Sequence, residues 1–159
     1  MAREIERKYV LKNDGWRKEA GSGTSYRQGY LSTDPERSVR VRIGGGQAFL
    51  TIKGKTEGAG RSEFEYPIPH NDGEQILAQL CHRPLIEKTR YIIRHGDLKW
   101  EIDEFHGQNR GLIIAEVELS DDQRHIDKPD WLGEEVTPDP RYYNLNLVAN
   151  PYSNWIENR

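Results

Sequence analysis

Polar and apolar residues alternate with a period of two along most of this chain, and Gly, Asn, Asp and Pro clusters interrupt the alternation. Successive side chains of a strand point to opposite faces, so each alternating run reads as a strand with one apolar side. Eight such runs are predicted, roughly over 4–10, 25–31, 38–43, 48–54, 62–68, 87–94, 98–105 and 112–119. The turns between them include Asn13-Asp14-Gly15, Thr33-Asp34-Pro35, Gly44-Gly45-Gly46, Gly58-Ala59-Gly60, His95-Gly96-Asp97 and Gly107-Gln108-Asn109. Short connections between successive strands predict an antiparallel meander, closed as a barrel or stacked as a sandwich.

Two helices interrupt this pattern. The first runs from Asp72 to Cys81, with Asp72 as N-cap and Ile76, Leu77 and Leu80 as its apolar stripe. The second opens at Ser120 and runs to about Ile126, with Asp121 and Asp122 in its first turn. The tail from Arg141 to Trp155 reads as partly helical, broken by Pro138, Pro140 and Pro151. The fold class is α+β, predominantly β, and residues 1–159 are expected to form a single domain.

The polar faces of the predicted strands carry charges of one sign. Acidic pairs two residues apart are Glu4/Glu6, Glu63/Glu65, Glu101/Asp103 and Glu116/Glu118; basic pairs are Arg40/Arg42, Lys53/Lys55 and Lys88/Arg90. So charged a composition produces many such pairs by chance, but these fall inside strand-like runs whose opposite faces are apolar. An ordinary sheet with one solvated face gives the same pattern, and periodicity alone leaves both readings open. Energetics tilts the balance between them. Two like charges about 6.6 Å apart repel by roughly 2.5 kcal/mol at an effective dielectric near 20. Surfaces relieve such repulsion by mixing signs. Strands that keep one sign each make sense when divalent cations bind the acids through hard oxygen ligands and a polyanion binds the bases.

Composition narrows the classes. The chain has 159 residues, 31% of them charged, with a net charge of −3. It therefore presents no global basic field for nucleic acid. Cys81 is the sole cysteine, which excludes an internal disulfide or a cysteine-based zinc site and fits a reducing compartment. No run approaches the ~18 apolar residues of a membrane span, and the N-terminus has no apolar leader core, so a cytoplasmic protein is expected. The five histidines lack metal-ligand spacing and read as surface residues. Gly54-Lys55-Thr56 looks like the end of a phosphate-binding loop, but Phe49 stands where that motif needs its first glycine.

The order of the charged motifs carries a resemblance. Glu4-Ile5-Glu6-Arg7-Lys8 is similar to an ExExK signature; Arg40-Val41-Arg42, Thr51-Ile52-Lys53, Glu63-Phe64-Glu65, Glu87-Lys88-Thr89-Arg90, Trp100-Glu101-Ile102-Asp103 and Ala115-Glu116-Val117-Glu118 follow. Together with Gln28-Gly29-Tyr30-Leu31 and Gly133-Glu134-Glu135-Val136-Thr137, they resemble the CYTH, or triphosphate tunnel metalloenzyme, family over essentially the whole chain. That resemblance implies a closed eight-stranded antiparallel β-barrel, a tunnel with a few helices packed outside. It also implies metal-dependent hydrolysis of the terminal phosphoanhydride of inorganic triphosphate.

Under this reading Glu4, Glu6, Glu63, Glu65, Glu116 and Glu118 bind metal, with Asp103 a secondary ligand. Lys8, Arg40, Arg42, Lys53, Lys88 and Arg90 bind phosphates, arginine by bidentate contact and lysine as a compact charge. Glu4, Glu6 and Lys88 are the candidate catalytic residues. Lys88 either positions or deprotonates the attacking water, or only binds phosphate. The expected cofactors are Mg2+ or Mn2+, two ions during catalysis. Lys55 and Glu101, in phase with Lys53 and Asp103 but nearer the strand ends, stay open. The expected partner is a small triphosphate, with no nucleic acid and no membrane, and the expected state is a monomer or homodimer. The competing functions are a nucleoside or thiamine triphosphatase, an adenylate cyclase, and a non-catalytic polyphosphate- or nucleotide-binding module.

Overall fold

The computed structural model describes residues 3–121 and 125–155. In chain order the strands are β1 Arg3–Leu11, β2 Thr24–Ser32, β3 Arg37–Gly44, β4 Gln47–Gly54, β5 Gly60–Ile68, β6 Ile86–His95, β7 Leu98–Phe105, β8 Ile113–Glu118 and β9 Leu132–Glu135. The helices are α1 His70–Gln79 and α2 Asn146–Ala149, and four short 3-10 turns lie elsewhere along the described residues. The eight predicted strands all form, with ends moved by two residues at most.

The sheet order is β5-β4-β3-β2-β6-β7-β8-β1-β9, every pairing is antiparallel, and a further β5–β1 pairing closes the barrel. β1 makes closure possible by dividing one of its edges. Arg3 to Ile5 pair with β5, and Tyr9 and Leu11 pair with β9, while β8 runs along the other side. Closure leaves no free edge on the eight barrel strands. Gly45 and Gly46, at φ of 60° and 78°, make the two-residue turn between β3 and β4, where only a residue without Cβ adopts that backbone cheaply.

Three apolar clusters hold this arrangement. The outer faces of β1, β7 and β8 give Tyr9, Trp100, Ile102, Ala115 and Val117, covered by Trp16 and Trp131. Trp100 is fully buried, edge-on to Tyr9 at 5.6 Å and to Trp131 at 5.8 Å. On the opposite side α1 lays Leu77 over Val41, Ile43 and Ala48. The third cluster fills one end of the barrel interior. Tyr30, Ile86, Phe105 and Ile114, all in phase with the inner positions of their strands, pack against Tyr142, Leu145, Leu147 and Trp155 of the tail. The tail thus lies across one mouth as an apolar plug.

Three local expectations change. The helix begins at His70 after Pro69, and Asp72 sits in its first turn, because Pro69 presets the extended entry that an N-cap needs. The expected Ser120–Ile126 helix covers 122–124, which lie outside the described residues; Ser120, Asp121, His125 and Ile126 are not helical. The short β9, Leu-Gly-Glu-Glu, has no alternation to betray it and forms because β1 offers it an edge. Among the described residues no helix is long and apolar enough to cross a membrane.

Candidate active site

Period two converts the charged pairs into an enclosed lining. The cavity, of about 200 Å³, is walled by Glu4, Glu6 and Lys8 of β1, Arg40 and Arg42 of β3, Lys53 of β4, and Arg61, Glu63 and Glu65 of β5. Lys88 and Arg90 of β6, Glu101 of β7, and Glu116 and Glu118 of β8 complete the ring. Around the barrel the signs segregate. Strands β4, β3 and β6 form a basic arc, with uncharged Gln28 and Tyr30 of β2 between them. Strands β7, β8, β1 and β5 form an acidic arc, with Lys8 and Arg61 embedded in it.

The two arcs are cross-braced. Lys53 Nζ donates to both oxygens of Glu4, at 3.0 and 3.1 Å, and Arg61 Nε donates to the same carboxylate at 3.2 Å. Lys8 Nζ lies 3.2 Å from Glu6 and 3.1 Å from Glu116. Thr51 Oγ1 donates to Glu65 at 2.7 Å, and Arg40 and Arg42 approach that carboxylate at 3.6 and 3.8 Å. The Nε atoms of Arg40 and Arg42 are buried without a hydrogen-bond partner, so these guanidiniums retain donors. Burial, with Arg40 and Arg90 alongside, lowers the Arg42 proton affinity, the mark of cations crowded around a place for an anion.

The acidic arc is unevenly neutralised. Burial works against ionised Glu4 and Glu6, but Lys53 and Arg61 hold Glu4 below the usual carboxylate range, and Lys8 does the same for Glu6. Glu63 and Glu118 go the other way. Burial raises both, and their acidic neighbours, Glu4 foremost, raise them further. Among the described residues Glu118 has no cation within ion-pair distance. Hard oxygen donors crowded beyond the resident positive charge are the chemistry that Mg2+ or Mn2+ satisfies, so the donor set fits a divalent cation. No three of these carboxylates already converge on one point among the described residues; lysines and arginines bridge them instead.

Asp103 and Lys55 do not reach the cavity wall. Asp103 is fully buried behind it, taking Arg90 in a bidentate contact at 2.8 and 2.9 Å and Lys88 Nζ at 2.8 Å. With both oxygens engaged, its pKa falls despite burial. Lys55 is exposed, one residue past the end of β4, where the alternation no longer aims inward. Glu101 does line the cavity, 3.3 Å from Arg90. Burial drives the Lys88 ammonium down to about 8, assisted by Arg90 and opposed by Asp103.

Five lining residues escaped the sequence reading: Tyr30, Arg61, Tyr143, Asn144 and Leu145. Arg61 was legible, since it is in phase with Glu63 and Glu65. Tyr143 and Asn144 were not, because they arrive on the irregular tail rather than on a strand. Asn144 Oδ1 accepts from Lys88 at 3.2 Å and from Gln28 at 2.8 Å.

Residues 2–151 match the CYTH domain family. The chain belongs to that family. Among CYTH relatives, an inorganic triphosphatase of Acetivibrio thermocellus is 48% identical over 157 residues, 99% of this chain and 100% of that protein. An inorganic triphosphatase of Nitrosomonas europaea is 37% identical over 155 residues, covering 92% of this chain and 97% of that one. A crystal structure of an inorganic triphosphatase superposes with a TM-score of 0.63 at 35% identity, over 91% of this chain and 96% of that one.

Proposed function

We propose that this CYTH protein is a metal-dependent inorganic triphosphatase, cleaving the terminal phosphoanhydride of triphosphate to pyrophosphate and phosphate. One observation carries the reading: inside a closed barrel, an arc of lysines and arginines with unused donors faces an arc of carboxylates that exceeds its own neutralising charge. A ligand that is highly anionic, small and accompanied by divalent cations matches both arcs together. Two relatives at 48% and 37% identity bear the name of that activity.

Phosphoryl transfer asks mainly for positioning and charge stabilisation. Arg40, Arg42, Lys53, Arg90 and Lys8 would hold the phosphate oxygens, each already fixed by a carboxylate brace. Glu4, Glu6, Glu63, Glu65, Glu116 and Glu118 would hold the cations. Bound there, Mg2+ or Mn2+ supplies charge neutralisation and polarises phosphate and water oxygens. Lys88, at the wall and with its pKa lowered to about 8, orients the attacking water or takes up its proton. Asp103 belongs with the positioning residues, since both its oxygens are committed to Lys88 and Arg90.

The test is phosphate release from tripolyphosphate, ATP and thiamine triphosphate with Mg2+ or Mn2+, with cyclic AMP measured in parallel. Turnover fastest on tripolyphosphate and abolished by EDTA is the expected result. Glu4→Gln or Glu6→Gln abolishes it, and Arg42→Ala raises KM. Binding of tripolyphosphate without turnover, or cyclic AMP as the main product, would overturn the proposal.

A further inference from the structure

The C-terminal segment does more than fill the barrel end. We propose that Asn144 is a positioning residue for Lys88, presented to it by the docked tail; the proposal rests on the reading of Lys88 as the residue that acts on the attacking water. A lysine ammonium has three donors on a flexible four-carbon stem and must be held from more than one side to point a hydrogen or a lone pair one way. Asp103 Oδ2 holds Lys88 Nζ at 2.8 Å and Asn144 Oδ1 holds it at 3.2 Å, which leaves one direction for the cavity.

Lys88, a donor only, selects the oxygen of the Asn144 amide, and Gln28 holds that choice. An asparagine amide can present either its oxygen or its NH2 group, and its neighbours decide which. The fully buried Gln28 donates Nε2 to Asn144 Oδ1 at 2.8 Å, so two donors meet one oxygen and the amide cannot turn its own hydrogens toward the ammonium. The main chain at Asn144 is equally constrained. Tyr142 on one side and Leu145, Leu147 and Trp155 on the other are buried in the apolar plug, and Tyr143 donates its hydroxyl to Thr137 O. Packing of the tail is thereby converted into the aim of one amine inside the cavity.

Two measurements test this. Steady-state kinetics on tripolyphosphate with saturating Mg2+ compare parent, Asn144→Leu, Asn144→Asp and Lys88→Met. Lysine-amine 15N spectra of the metal-free protein, with the Lys88 signal assigned by Lys88→Met, follow the amine independently of turnover. The expected result is a kcat for Asn144→Leu lower by about tenfold or more with KM within about threefold, the scale of losing alignment at a reacting atom. Asn144→Asp, which keeps the acceptor but adds a charge that favours the ammonium, moves the pH optimum upward and holds kcat at that optimum within about threefold, and the Lys88 signal persists in it but broadens or vanishes in Asn144→Leu. Should Asn144→Leu fail to fold, Gln28→Met, which frees the amide to turn over, is expected to lower kcat in the same way. Asn144→Leu with unchanged kcat and unchanged amine signal, while Lys88→Met loses turnover, overturns the role of Asn144 alone. Equal losses in the leucine and aspartate variants also overturn it. A Lys88→Met that keeps full kcat instead removes the chemical role of Lys88, and the positioning claim with it.

Discussion

Two corners of the same tunnel treat buried carboxylates in opposite ways. At the junction of β6 and β7, Asp103 has no exposure at all, yet it is ionised, because Lys88 and Arg90 occupy both its oxygens. At the junction of β5, β1 and β8, Glu63 and Glu118 sit among Glu4 and Glu6 with fewer cations than acids, and their proton affinity rises. The first corner is neutralised by the protein itself. The second is left short of positive charge. Charge on an inner face is therefore not one property: the paired acid builds the wall, and the under-paired acids are those that the proposed function gives to a cation.

The largest effect separating the corners is expected at Asp103. Removing one member of a buried ion network strands the others in a poor solvent, at a cost of about 3–5 kcal/mol. Asp103→Asn keeps the shape but leaves Lys88 and Arg90 uncompensated, so urea unfolding in metal-free buffer should show a loss of about 3 kcal/mol and a fall in turnover. A loss under about 1 kcal/mol would mean that Asp103 is dispensable to the wall. The same chemistry at the other corner reverses the sign. Glu118→Gln removes a charge that has no cation partner among the described residues, so the metal-free protein should be as stable as the parent or more so. The metal concentration for half-maximal turnover should rise by about tenfold, the scale seen when a supporting group of a metal site is lost.

The pH dependence follows with opposite slopes. The Asp103 pKa is lowered, so its contribution is present above the ordinary aspartate range and is lost as pH falls through the folded value. The Glu118 and Glu63 pKa values are raised, so the folded state binds their protons more tightly and loses that advantage as pH rises through the folded value. Metal-free protein is therefore expected to gain stability when Glu118→Gln is compared with the parent near pH 7, and the gain should disappear near pH 4. Thermal unfolding at the two pH values checks it, and a pH-independent difference would refute the charge-crowding account. Since Glu118 is substantially exposed, solvent screening keeps this effect well below that at Asp103.

What the sequence disclosed and what it hid divide along the same physical line. Period two delivered all eight barrel strands and told which residues share a face, because a strand repeats its geometry at every second residue. It therefore brought Glu4, Arg42, Lys53, Lys88 and Glu116 to one interior, and it would have brought Arg61 had opposite charges been followed as well as like ones. It could not separate Asp103 from Glu116. Both are inward acids on adjacent strands, and only the depth of Asp103 between Lys88 and Arg90 distinguishes it from the cavity-lining Glu116. Asn144 and β9 were hidden for a different reason: each is placed by a partner distant in sequence, β1 in one case and the apolar plug in the other.

The smallest expected effect is at Lys55, and it sharpens the comparison by marking where the interior stops. Lys55 is in phase with Lys53, and phase alone would put both on the basic arc. Pairing of β4 ends at Gly54 opposite Arg37, so Lys55 leaves the ladder and is exposed, whereas Lys53 is buried against Glu4. An exposed lysine without a fixed partner contributes little, within about 0.5 kcal/mol. Lys55→Ala is therefore expected to leave unfolding and kcat unchanged and KM within about twofold, while Lys53→Ala releases Glu4 and raises KM by about tenfold, as losing a charged contact to substrate does. Equal effects in the two variants, measured side by side on tripolyphosphate, would show that the substrate site extends past the strand end and that register, rather than enclosure, decides which cations bind phosphate.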